Sequence, residues 1–453
     1  MFHRHYYYYL IGITVWKMSK LVLIGLGNIG GEVLNQLALS HYSGPIVVAD
    51  SRNLVSSPNF SQELLDSMLK TKKKDGSFLS LKYQPNGIEV KGIDDLFQYV
   101  SGGNIVINCM PTTFPDPTAA QAPINTPKSV DYDAMALIKG AHVVAAHKSA
   151  FGSNSLYELV EKASKEGNAK YVPAGALMGP TRAMEVVQWL IAHNVEITKA
   201  EGIANGTTGF VINKMLENGW GYEKALAEAQ KLGYAEPDPS ADIKGLDALC
   251  KMQALAIYAG NFKAAKLFTV NDERANIPKD LKARLQTQNW GYGITGINEE
   301  FVVHLRKASV YFGLVGAYDR KSGTVYAGPK VIGQGDLLSG VKGVENRLVL
   351  GLDGEFDLPR MIDDVFGRTA ESISALRHET NVQVKYDIRL SEEPQSNPLN
   401  RGRFFIKFNY DSQNHRLSIT GPGAGKPETA IALINAALNL KDAYGEAGRA
   451  AAR

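Results

Sequence analysis

Residues 21–30 read LVLIGLGNIG, and the fold turns on this stretch. Leu21 to Ile24 is a short apolar run of the kind that fills a buried strand, and the pattern from Gly30 to Leu39 is helical. Between them stand Gly25, Gly27 and Gly30, a GxGxxG turn directly after a strand and directly before a helix. Gly25 allows the tight turn, Gly27 lets backbone approach a pyrophosphate, and Gly30 permits close helix–strand packing. Asn28 and Ile29 open the helix, whose free N–H groups and positive dipole end would face the phosphates. A glycine-rich turn without a ligand is the plainer alternative. Strand, turn and helix in register favour dinucleotide binding.

Ile46 to Ala49 is a second strand, and Asp50 ends it. A carboxylate there accepts hydrogen bonds from an adenosine ribose and repels a 2′-phosphate, which leans toward NAD. Arg52 could pair with that phosphate, so NADP stays open. Ile105 to Ile107 and His142 to Ala145 are further strands, and strands alternating with helices imply βαβ units and a parallel sheet. Asp116 to Pro127 reads as a loop at a strand end. Ser155 to Glu166 is a helix leading out of this domain. The fold class expected is α/β: a Rossmann-type dinucleotide-binding domain plus a mixed α/β domain.

Beyond Val172 helices and strands mix. Helical spacing covers Val186 to Ala192, Tyr222 to Leu232 with its stop at Gly233, and Leu246 to Ala259. Thr324 to Ala327 and Arg347 to Leu350 read as short strands. The stretch 352–403 is more charged, with a linker SEEPQSNPLNRGR and one helix around Met361 to Leu376. Phe404 to Phe408 and Leu417 to Thr420 form an expected hairpin, followed by a helix from about Glu428 to Leu440 and a frayed tail.

Composition narrows the functions. The 453 residues are 44% hydrophobic and 21% charged, which suits folded domains and excludes disorder over most of the chain. Lys and Arg number 49 against 46 Asp and Glu, and the longest like-charged stretch is Lys70 to Lys74 (KTKKK), which argues against nucleic acid as a partner. The two cysteines, Cys109 and Cys250, read as packed thiols in a reducing, cytoplasmic setting. The run Tyr6 to Trp16 is only about half the length of a membrane span. Residues 1–17 read as an extension before a natural start at Met18, and no membrane association is expected.

Residues 233–251, GYAEPDPSADIKGLDALCK, concentrate the carboxylates Glu236, Asp238, Asp242 and Asp247 with Lys244 and Lys251. Pro237 and Pro239 exclude a helix there, so Glu236 and Asp242 are expected on a stiff loop. Asp247 and Lys251 are spaced i, i+4 on the next, otherwise apolar helix and share a face. The bland alternative is a solvated ion pair. Read chemically, carboxylates can hold the α-ammonium of a small amino acid, and a lysine can donate a proton to a carbonyl oxygen as hydride reaches the carbon. Lys148 is a second candidate, since it follows the strand ending at Ala145 on the usual ligand side of the sheet.

With these motifs in hand, the chain resembles the homoserine dehydrogenase family. The segment 233–251 is similar to that family's substrate signature. GLGNIGG from Gly25, VVAAHK ending at Lys148, EGIANGTTGFVINKM from Glu201 to Met215, GITGI from Gly293 and GPGAGKPETA from Gly421 follow in the family's order. The resemblance implies NAD(P)-dependent interconversion of L-aspartate 4-semialdehyde and L-homoserine, a step toward threonine and methionine. It implies that Gly25 to Gly30 hold the cofactor phosphates, that Lys148 lies near nicotinamide and substrate, and that Lys251 is the companion proton donor. Gly233 would contribute backbone, and Glu236, Asp242 and Asp247 would line the amino-acid site. Gly423 and Gly425 would bring the last helix back to the cofactor, and a homodimer or higher homo-oligomer is implied.

Three positions depart from the family. Its Glu that helps bind a monovalent cation is Val172 here, leaving backbone carbonyls for such an ion in the turn Ala174 to Pro180. Its Asn before the lysine is His147, read as a hydrogen-bonding neighbour. Its Thr after the fourth strand is Met110, leaving main-chain contact to the cofactor. The domain plan expected is an extension at 1–17, a dinucleotide-binding domain at 18–168 and a substrate-binding and dimerisation domain at 169–351. An insertion of unknown role at 352–410 and a returning segment at 411–453 complete it. A related dehydrogenase acting on another amino-acid aldehyde or ketone, and a non-enzymatic NAD(P)-binding regulator, are the alternatives.

Overall fold

The computed structural model describes residues 20–78, 81, 87–113, 126–267, 294–307, 311–333, 335–366, 378–379, 383–391, 404–422 and 426–450. The expected extension at 1–17, the loop from 116 to 125, Gly293, Gly423 and Gly425 lie outside them. The chain divides into two units. The first runs to Gly179 and resumes at Gly425, and the second holds Pro180–Ala424.

The first unit is a seven-stranded sheet. Its strands are β1 (Leu21–Ile24), β2 (Ile46–Ala49), β3 (Asn53–Ser57), β4 (Glu89–Gly92), β5 (Ile105–Asn108), β6 (His142–Ala145) and β7 (Tyr171–Val172). The order is β4-β3-β2-β1-β5-β6-β7. Neighbours from β2 to β7 pair in parallel, while β3 and β4 are antiparallel additions at one edge. Helices α1 (Asn28–Leu39), α2 (Gln62–Asp75), α3 (Lys128–Ile138) and α4 (Asn154–Glu166) cover it.

Every residue of β1 is buried. Leu21 and Leu23 pack on one face with Val33, Leu34 and Leu37 of α1, while Val22 and Ile24 pack on the other with Leu137 and Val160. Period-two alternation onto two apolar faces is why the strand reads as an unbroken hydrophobic run. Leu433, Ile434 and Ala437 of the C-terminal helix (Lys426–Ala450) join the core on the α1 side. The order reverses between β1 and β5, and the carboxyl ends of strands at such a switch point form the usual ligand crevice.

The second unit is a nine-stranded sheet. Its strands are β8 (Glu196–Ile203), β9 (Ala264–Leu267), β10 (Tyr311–Asp319), β11 (Thr324–Ile332), β12 (Glu345–Asp353), β13 (His378–Glu379), β14 (Gln383–Ser391), β15 (Phe404–Asp411) and β16 (Arg416–Pro422). The order is β13-β14-β15-β16-β12-β8-β10-β11-β9, antiparallel except where β9 joins β11. Its helices are α5 (Ala183–Ala192), α6 (Gly206–Asn218), α7 (Tyr222–Lys231), α8 (Ser240–Ile243), α9 (Leu246–Tyr258), α10 (Glu299–Lys307) and α11 (Leu358–Phe366). Glycine lets α9 lie directly on the sheet: a Cβ at Gly316 of β10 would stand 2.7 Å from Met252 Cγ and 2.9 Å from the Ala248 carbonyl. That contact fixes the height of Asp247 and Lys251 above β8 and β10.

The structure revises the domain plan in three places. The segment 352–410, expected as an insertion apart, contributes strands to this same sheet. β15 pairs with β16 and β14 with β15, so each new strand covers the open edge of the last. The returning segment begins at Gly425 rather than 411, because β16 is hydrogen-bonded to β12 in the second unit. The first unit extends to Gly179 rather than 168, since β7 pairs with β6. Among the described residues, no helix is long and apolar enough to cross a membrane.

Candidate active site

In the first unit the glycine turn is built by three different constraints. Gly25 sits at φ +90°, where a side chain is strained, and a Cβ would come 2.8 Å from the Cys109 carbonyl. A Cβ on Gly30 would fall 1.9 Å from the Gly25 oxygen, which locks helix against turn. Gly27 has nothing within 4 Å of where its Cβ would be, so that side of the turn is open. Gly27 is the residue before α1, no side chain caps this end, and the first turn carries no acid. Its N–H groups and dipole are therefore left for an anion, and a dinucleotide pyrophosphate fits. Lys426 Nζ donates to Asn28 Oδ1 at 3.2 Å, bringing the start of the C-terminal helix to the same turn.

Asp50 is placed at the end of β2 but is already engaged. Its Oδ1 accepts from the main-chain nitrogens of Arg52 and Asn53, each at 2.8 Å, and Lys72 Nζ lies 3.3 Å from Oδ2. The lean toward NAD rested on a free carboxylate. Here a lysine from α2 partly neutralises it, which was not legible from Asp50 alone.

Met110 and Lys148 follow β5 and β6. The Met110 nitrogen donates to Asn108 Oδ1 at 3.1 Å, and the Lys148 nitrogen donates to Thr112 Oγ1 at 3.2 Å. Cys109 is half-buried behind the turn, and desolvation pushes its thiol up to about 12, which suits packing rather than nucleophilic chemistry. Val172, in β7, offers no side-chain ligand to a cation. Among the described residues, no group of three His, Cys, Asp or Glu is placed to hold a metal ion.

In the second unit the acidic segment folds into a nest. Asp242 lies on the short helix α8, which starts straight after Pro239, and not on the expected loop. Proline is well placed just ahead of a helix, because the N–H it lacks would have no partner there. Gly245, at φ +85°, turns the chain into α9. Asp247 and Lys251 then meet one turn apart, Nζ to Oδ2 at 2.7 Å, both buried. Lys251 also donates to the Ala204 carbonyl at the end of β8.

Asn205 is the hub that the sequence reading passed over. Its Oδ1 caps α6 by accepting from Thr208 N at 2.9 Å, which aims its amide outward. Nδ2 then reaches Asp242 Oδ1 at 2.6 Å and Asp247 Oδ2 at 2.8 Å. An Asn directly before a helix is an N-cap signal, so the cap was findable; its second use was not. Burial, and next the charge of Asp247, raise the Asp242 carboxyl above its usual range, while Asn205, Thr207 and Lys251 pull the other way.

Glu236 is exposed, and among the described residues its carboxylate makes no hydrogen bond or ion pair; its main-chain oxygen accepts from Gln230 at 3.2 Å. It stays outside the nest in this conformation. Gly233, at φ +79°, closes α7, its nitrogen donating to Gln230 O at 3.1 Å.

The glycine turn at a topological switch point and the carboxylate–lysine nest define a Rossmann-type α/β oxidoreductase. A family model for homoserine dehydrogenase matches residues 185–355, and the Schizosaccharomyces pombe homoserine dehydrogenase is 28% identical over 295 residues, 62% of this chain and 72% of that protein. Over residues 185–355 the chain is therefore similar to the homoserine dehydrogenases. An NAD(+)-dependent homoserine dehydrogenase of Pseudomonas canavaninivorans is 29% identical over 49% of this chain and 58% of its own length, so this chain spans little more than half of that relative. In fold, the Thermoplasma acidophilum homoserine dehydrogenase matches at a TM-score of 0.57 and 17% identity, covering 94% of this chain and all of that one (100%). A hyperthermophilic archaeal homoserine dehydrogenase solved with NADPH matches at a TM-score of 0.52 and 17% identity, covering 92% of this chain and 95% of that one.

Proposed function

We propose that this chain interconverts L-homoserine and L-aspartate 4-semialdehyde with NAD or NADP. The observation that carries the reading is the charge of the nest. Asp242 and Asp247 converge on Asn205 beside Lys251, and burial together with the Asp247 charge holds the Asp242 carboxyl up. Two carboxylates this close repel each other in a buried setting. The α-ammonium of an amino acid would relieve that repulsion.

Each unit then has its share. The nicotinamide cofactor, when bound, gives or takes the hydride. The turn Gly25 to Gly30 holds its pyrophosphate, Asp50 with Arg52 and Lys72 meets the adenosine ribose, and main chain at Met110 borders the nicotinamide side. Asp242 and Asp247 fix the amino acid, with Gly233 and Glu236 at the margin. An ammonium has three hydrogens, and two of those on Lys251 go to Asp247 and the Ala204 carbonyl. The third can pass to the carbonyl oxygen as that carbon is reduced, leaving a neutral amine that reprotonates from solvent. Lys148 is the other group able to do this. A homodimer or larger homo-oligomer in the cytoplasm is the corresponding state; the family resemblance supports the oligomer, two cysteines without a disulfide support the compartment, and light scattering tests the size.

Steady-state oxidation of L-homoserine with NAD and NADP in parallel tests the reading. Turnover with either is expected, and Lys251→Ala should lower kcat by roughly 10²–10⁴-fold, as for loss of a positioned acid. No oxidation of homoserine, with turnover of another small carbonyl or alcohol, would replace the substrate assigned here.

A further inference from the structure

Behind Lys148 lies a buried polar network that the reaction does not use directly. His147 and Asp133 have fully buried side chains, with Nε2 at 3.2 Å from Asp133 Oδ2. His147 Nδ1 accepts from Ser149 N at 3.3 Å, which turns Nε2 toward the Asp133 carboxylate as a close contact rather than a formed hydrogen bond. Asn108 Nδ2 donates to Asp133 Oδ1 at 2.8 Å, and Asn108 Oδ1 accepts from Met110 N. Two further bonds tie the same loops: Lys148 N to Thr112 Oγ1, and Thr113 N to Ser149 Oγ at 3.0 Å. The segment after β5 is thus joined to the segment after β6 by a direct pair of bonds, and through α3 by the Asn108–Asp133 bond and the close approach of Asp133 to His147.

The His147 bond to Ser149 spans two residues, the reach of an Asx turn, so Nδ1 does the work of an amide oxygen at this position. The ring then extends past where an Asn side chain would end and meets Asp133. Tyr171 of β7 lines the same spot, and burial followed by the Asp133 charge raises its phenol.

We propose that Asn108, Asp133 and His147 are positioning residues that hold Lys148 and the Met110 main chain in one fixed relation. This rests on the reading of Lys148 as a group at the reacting centre. Misplacing such a group by about 1 Å can cost on the order of 10²-fold in rate. A network that only filled space would affect folding and leave turnover per folded molecule alone.

The test measures kcat, the homoserine KM and thermal stability of the full-length protein. His147→Asn keeps the bond to Ser149 and loses the reach to Asp133. It should lower kcat about tenfold with KM changed less than about twofold. Adding Asp133→Asn removes the stranded carboxylate, so the melting temperature should recover while kcat stays low. Should either variant fail to fold, Thr112→Val cuts a direct tie at a half-buried position without stranding a charge, and should still lower kcat several-fold. Parent kcat in the folded variants, or kcat that recovers together with stability in the double variant, overturns the proposal. Lys148→Ala separates the two levels. If it leaves turnover intact the role of Lys148 falls; if it abolishes turnover while the network variants do not, only the positioning role falls.

Discussion

The glycine turn and the acidic nest are built from opposite materials. The turn works by omission: three positions without side chains, a helix start with no acid in its first turn, and backbone N–H groups left over. The nest works by crowding, with two carboxylates, an amide and an ammonium packed on α6, α8, α9 and the end of β8. The first suits a large, diffuse anion recognised by backbone. The second suits a small cation recognised by charge.

The largest effect should come from breaking the turn. Gly30→Ala drives a Cβ into the Gly25 oxygen and should destabilise the fold by about 1–3 kcal/mol or more, read by chemical denaturation. Gly27→Ala meets open space at φ −89°, so it should fold normally yet weaken cofactor binding about tenfold by fluorescence titration. Equal stability losses at both positions would remove the distinction between packing and binding glycines.

Asp242→Asn sharpens the other half. A carboxyl whose folded pKa is raised binds its proton more tightly in the folded state, so its charge weakens the fold increasingly as pH rises from the usual carboxylate range through the raised value. The penalty is complete once the pH lies above that raised value. The variant should therefore melt about 2–4 °C higher at neutral pH while its homoserine KM rises roughly tenfold. The parent KM should rise on acidification at a pH above that of an ordinary carboxylate, and the variant should lose this limb. A destabilised variant with unchanged KM would place Asp242 among purely structural residues.

The smallest effect lies where a side chain enters the backbone-built region. Lys72→Ala frees Asp50 and removes a cation from the ribose end, so NADP affinity should fall about fivefold relative to NAD. A uniform loss with both cofactors would show that Lys72 only supports β2.

Legibility followed sequence distance. The turn and the Asp247–Lys251 pair were readable because their parts lie within one or two turns of helix, where 3.6-residue periodicity predicts neighbours. Asn205 was not, since its carboxylate partners are 37 and 42 residues away. Asn108 and Asp133, 25 residues apart, were hidden for the same reason. β8 and β10 were missed because their residues do not alternate cleanly and β10 carries two glycines, of which Gly316 makes room for α9. Residues 352–410 looked foreign because charge and linker composition say nothing about pairing to an existing edge.

Alone, the sequence determined the parallel α/β core, the strand–glycine turn–helix and the class of chemistry, because each rests on local backbone geometry and on side-chain types a few residues apart. Only the tertiary structure decided which carboxylate is neutralised, which is crowded by another, and which histidine stands behind a lysine. Those outcomes depend on charges brought within about 3 Å from distant segments, and the free energy of a buried charge is set by its neighbours in space.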